Sequence, residues 1–172
     1  VDEDAALLTF QHYCGPTALA QLLDVTRLVA ARILLPYAGR TKGSVATYGW
    51  ISVLTKLGAQ EMATEKPVEE VARKLQERWD RYREKMDEWD EGKRLTRPRR
   101  PRVGNHARYT VAEFLRRHPE GWIVLGISGH TLVACNGRVV GDTKRSRSMK
   151  GRVRYAYHFT EDQVTQLRKE GK

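Results

Sequence analysis

From residue 14 onward the apolar positions fall three and four apart. Ala18, Leu19, Leu22 and Leu23 share one face behind Pro16, a residue suited to a first helical turn, so the spacing predicts a helix from Cys14 or Gly15 to about Asp24. A second helical stretch over 25–35 should stop at Pro36, followed by a loop. Val45, Tyr48, Ile51, Leu54 and Leu57 predict a third helix over 44–57, with Gly58 as its C-terminal stop. Val71, Leu75, Trp79, Tyr82, Met86 and Trp89 line one side of a long charged helix over 67–90, a stripe expected to dock on the core, the alternative being an exposed partner-binding helix. Thr110 and Glu113 form a capping box ahead of Phe114 and Leu115, opening a short helix that ends near His118.

From Trp122 the period changes. WIVLGI, HTLVAC, RVVGD and VRYAYHF read as strands, with turn signals at Ser128-Gly129 and Asn136-Gly137. Helices first and strands second indicate an α+β fold, in which the helix carrying Cys14 packs on an antiparallel sheet from the C-terminal half. At 172 residues and without an internal repeat, the expectation is one domain, 1–172. Within it the Arg/Pro stretch at about 92–108 should be a mobile basic loop, because Pro98 and Pro101 remove backbone donors and the arginines repel one another.

Charge sharpens this picture. Of the net +10, residues 93–108 hold +7 and residues 138–154 hold +6, which leaves about −3 for the rest. Arg97, Arg99, Arg100 and Arg102 in the first patch, with Lys144, Arg145 and Arg147 in the second, could meet nucleic acid or another acidic partner. No aromatic residue is interleaved with the arginines of 93–108, which weakens base stacking as a mode of recognition. No apolar run approaches the roughly 20 residues of a membrane span, and the acidic start VDEDAALLTF does not read as a secretory signal. The expected location is the cytoplasm or a virion. Two cysteines, Cys14 and Cys135, make no disulfide framework, and no Cys/His cluster has metal-ligand spacing, so neither a metal nor a cofactor is expected.

The candidate chemistry lies in QHYCGPTALA. A cysteine at a helix N-terminus is favoured as thiolate by unpaired amides and the helix dipole. It then needs a base. Of five histidines, His130 is the best placed, exposed after Ser128-Gly129 at the start of a strand, while His12 suits a loop or packing role. Asp142 lies in the next strand. A two-residue turn at Asn136-Gly137 would set Asp142 opposite Thr131; a three-residue loop with a bulge at Gly137 would set it opposite His130. The bulged form is expected here. The Cys14 amide and the side chain of Gln11 would supply the oxyanion donors.

Together with FLRRHPEGWIVLGISGHTLVACNGRVVGD, the segment around Cys14 resembles the papain-like cysteine peptidase superfamily, and within it the branch of C39-type peptidases with many small phage and bacterial members. The likeness covers residues 11–23 and 114–142. It implies a papain-like fold with Cys14 as nucleophile, His130 as base, Asp142 as its orienter and Gln11 as oxyanion donor, acting on a protein or peptide substrate. In many relatives that glutamine lies further upstream, where this chain has Leu8. Acyl transfer to an amine would use the same residues. The rival reading is a non-enzymatic binding or structural protein, phage-related, that works through its basic surface.

Overall fold

The computed structural model describes residues 14–37, 47–101, 107–141 and 148–170. They belong to two compact units, one formed by 1–64 with 110–172 and the other by 65–109.

In the first unit, α1 spans Cys14–Leu23 and α2 spans Arg27–Leu34. Asp24 takes the left-handed position that ends α1 (φ 55°), and Thr26 caps α2 by accepting from the Val29 amide at 3.3 Å. Helix α2 stops at Leu34, as Pro36 requires. The proline sits inside a short 3₁₀ turn, Leu35–Tyr37, where its missing donor costs little. Helix α3 is Thr47–Lys56, ended at Gly58 (φ 81°); the start expected at residue 44 lies outside the described residues. Residues Gln60–Glu61 form a short strand, β1, that the alternation of side chains is too brief to announce.

The sheet is antiparallel throughout: β2 (Trp122–Ile127), β3 (His130–Cys135), β4 (Arg138–Val140) and β5 (Tyr155–Phe159), in the order β1-β5-β2-β3-β4. The fold is therefore α+β, as the order of patterns implies. Trp122, Val124, Val133, Tyr155, Tyr157 and Phe159 project from one face and share a core with Leu19, Leu22, Leu34, Trp50 and Leu54 of the N-terminal helices. On the other face Ile123, Leu125, Leu132, Ala134 and Ala156 are also almost wholly buried.

The helix Val111–Arg117 carries the expected capping box: Thr110 accepts from the Glu113 amide at 3.2 Å, and the Glu113 carboxylate accepts from the Thr110 amide at 2.9 Å. A second box went unread in the sequence. Thr160 and Gln163 cap a C-terminal helix, Glu161–Glu170, through reciprocal bonds of 3.2 and 2.8 Å. Arg168 of that helix donates to the carbonyls of Leu22 and Gln21 at 3.1 and 3.2 Å, satisfying two acceptors that α1 leaves open at its end. Its guanidinium lies 4.6 Å from the centre of the Trp122 ring.

In the second unit the long helix Val68–Asp90 holds no fully buried residue. The stripe Val71, Leu75, Trp79, Tyr82, Met86 and Trp89 is half-buried, the side of the helix that periodicity singles out. Gly92 (φ 72°) ends the helix, and residues 92–101 have no regular structure, as the prolines require. They turn back along the helix. Arg94 reaches Glu88 at 3.1 Å, and the Arg97 guanidinium lies 5.4 Å from the centre of the Trp89 ring.

Candidate active site

Helix α1 packs against β3, and Cys14 is its first residue. Pro16 falls in the first turn, where an amide would have no intrahelical acceptor in any case. Gly15 is equally local in its reason. A methyl group there would come within 3.3 Å of the Trp50 ring, so glycine lets α3 press against the beginning of α1. No acidic residue occupies the first turn, and the positive end of the helix is left to Cys14.

Cys14 is a free thiol, half-buried. Burial pushes its pKa up, since the anion loses water. Against this stand a hydrogen bond from the His130 side chain, one from the Thr131 amide, the favourable charge of the His130 ring and a further bond from the Gly15 amide. The donors win, and the thiol ionises below its ordinary value of 9.0. Cys135 is the contrast: burial and the nearby Glu161 carboxylate push its thiol up, and only Arg168 opposes them.

The sheet explains why the Thr131 amide is there to donate. Ile127 and His130 close a two-residue hairpin at Ser128-Gly129 as a hydrogen-bonded pair, and such pairs alternate, so Thr131 opposite Gly126 directs its amide away from β2. On that side β4 reaches no further than Val140, paired with Val133. Gly141 (φ 69°) then breaks the strand, and a methyl group there would meet the Gln21 side chain of α1 at 3.1 Å. The amide that β4 does not cover is the one that meets the sulfur. His130, adjacent in β3, meets it too.

Thr131 is held in turn by Tyr155, whose hydroxyl lies 3.0 Å from the threonine Oγ1 in a buried contact. Tyr155, Gly126 and Thr131 stand abreast on β5, β2 and β3. The tyrosine ring crosses directly over Gly126; a methyl group there would collide with Cε1 of the ring. Burial keeps the phenol protonated well above its ordinary range, and charge on Cys14 adds to that effect. Neither Thr131 nor Tyr155 was singled out in the sequence. The legible signal was Gly126, a lone glycine inside an apolar strand, which marks a place where something must approach the backbone closely.

One expectation is overturned. The pairs Cys135 with Arg138, Ala134 with Val139 and Val133 with Val140 define a tight two-residue turn, not a three-residue bulge. Asn136 (φ 48°) and Gly137 (φ 74°) are both left-handed, the type I′ geometry that matches the twist of the flanking strands. Asn136 further holds the turn by accepting from the Gly121 amide at 3.0 Å. The register that would set Asp142 opposite His130 is thus absent. Asp142 itself lies outside the described residues, as do Gln11 and His12. Among the described residues no group of three or more His, Cys, Asp or Glu could hold a metal ion, and no helix is long and apolar enough to cross a membrane.

No protein-family model matches the chain, and neither a curated protein nor a solved structure matches it significantly.

Two outcomes test this geometry. With iodoacetamide, Cys14 should alkylate faster than Cys135 at neutral pH, and its rate should rise with pH earlier, since the thiolate of the lower-pKa group is present at lower pH; peptide mass mapping resolves the two sites. Gly126→Ala should displace the Tyr155 ring and destabilise the protein by ~1–3 kcal/mol, measured by denaturant unfolding.

Proposed function

We propose that the protein is a cysteine-dependent hydrolase of amide bonds, a peptidase or close relative, built on a papain-like arrangement of nucleophile helix and sheet. The observation that carries the reading is the sulfur of Cys14: at a helix start, half-buried, and still ionising below its ordinary value because an imidazole and two backbone amides donate to it. A structural cysteine needs none of those donors.

In the proposed reaction the Cys14 thiolate attacks the carbonyl carbon of a bound amide, and the carbonyl electron pair moves to oxygen. The amide of Cys14 has no intrahelical acceptor at the first position of α1 and is suited to stabilise that oxyanion. Protonated His130 gives its proton to the amide nitrogen as the carbon–nitrogen bond breaks, leaving a thioester on Cys14. Water, deprotonated by His130, then attacks the thioester, and the sulfur leaves again as thiolate. An amine in place of water would make the same enzyme a transferase. The proposal rests on the Cys14–His130 pair; Gln11 retains only the role that the family resemblance implies, and the tight turn removes the register on which Asp142 as orienter of His130 depended.

A peptide carrying a C-terminal electrophile such as an aldehyde or vinyl sulfone should add to Cys14 and to no other residue, read by intact mass and peptide mapping. Amide cleavage in a peptide library should fall at least about 10³-fold in Cys14→Ala and about 10²- to 10⁴-fold in His130→Ala. Cleavage that survives in Cys14→Ala would overturn the proposal.

A further inference from the structure

The second unit carries a site that is independent of Cys14. Between the helix Val68–Asp90 and the returning segment 92–101 lies a cleft of about 400 Å³. Five cations line it: Arg78, Arg81 and Lys85 from the helix, Arg94 and Arg99 from the segment. No carboxylate does, although the helix carries eight Asp and Glu against six Lys and Arg. The sorting is partial, since Arg94 is held by Glu88 at 3.1 Å. Arg73 and Arg83, elsewhere on the same helix, are paired with Glu77 and Asp80 at 2.7 and 2.9 Å, whereas among the described residues no carboxylate pairs with Arg81, Lys85 or Arg99. Like charges gathered around one cavity repel, and an anion placed there relieves the repulsion.

The remaining walls are flat and apolar. They are the ring of Tyr82, fixed edge-on against Trp79 at 5.6 Å between centres, and the rings of Pro98 and Pro101. An occupant that uses every wall has both a planar face and phosphates. We propose that this cleft binds single-stranded nucleic acid, a base resting against Tyr82 and neighbouring phosphates held by Arg81, Lys85 and Arg99. From Arg78 to Lys85 the helix rises about 10 Å, about three phosphate-to-phosphate spacings of one strand. The cleft is too small to admit a duplex. An acidic peptide would satisfy the cations and leave the tyrosine and prolines without a planar partner. Arg97, stacked near Trp89, and the exposed Arg100 extend the positive track beyond the cleft. The missing aromatics among residues 93–108 are thus supplied by the facing helix.

The test uses the full chain and a short fluorescein-labelled oligothymidylate, followed by anisotropy. Binding should weaken with salt at a slope of log K on log salt of about −1.5 to −2, the value for two to three neutralised phosphates of a single strand. Arg81→Glu with Lys85→Glu should weaken it at least about tenfold, and Arg73→Glu with Arg83→Glu, the same change in net charge on the same helix, by about twofold or less. Tyr82→Ala should cost about fivefold or more and Tyr82→Trp little, because the stack is kept. Equal losses from the two charge reversals would overturn the proposal, as would no effect at Tyr82. So would polyglutamate of matched charge that competes as well as unlabelled oligothymidylate, or no binding at low salt. If Tyr82→Ala loses its native circular dichroism, the salt slope and the competition on the unmodified protein still decide. Cys14→Ala should bind the oligonucleotide unchanged, which separates this result from the fate of the hydrolase reading.

Discussion

A half-buried sulfur is a poor anion unless hydrogen-bond donors replace the water it has lost, and this balance at Cys14 is the constraint on which the rest of the first unit depends. Burial works against ionisation; the His130 ring and the amides of Thr131 and Gly15 work for it. The donors come from two elements far apart in sequence, the start of α1 and the start of β3. The chemistry therefore exists only when helix and sheet are docked.

Much of the surrounding fold can be read as what holds that docking in register. Trp50 rests against Gly15, the C-terminal helix ties the far end of α1 through Arg168, and Tyr155 reaches across Gly126 to Thr131. The early end of β4 matters as much as any contact. Had the ladder continued past Val140, the Thr131 amide would face a strand instead of a sulfur.

The helix bearing Cys14, the Thr110 capping box and the strand beginning at His130 were legible because each is announced locally, by spacing, by a cap or by a turn. The hairpin at Asn136-Gly137 was legible too, as Asn-Gly is the strongest signal for a tight turn; the bulge follows only from asking that Asp142 face His130, and local turn chemistry prevails over that demand. The helix Glu161–Glu170 was marked by Thr160 and Gln163 yet lacks a strong apolar stripe. For the stripe of the long helix, periodicity correctly gives one face, but it does not say how deeply that face is covered. The cleft of the second unit was beyond local reading, since its cations come from two segments that meet only when residues 92–101 fold back.

The central claim is electrostatic, and thiolate absorbance near 240 nm tests it most directly. The difference between the protein and its Cys14→Ala variant, titrated with pH, isolates the ionisation of this one sulfur. An inflection below 9.0 that moves upward in His130→Ala is the predicted result. An inflection at or above that value, or one indifferent to His130, would contradict it.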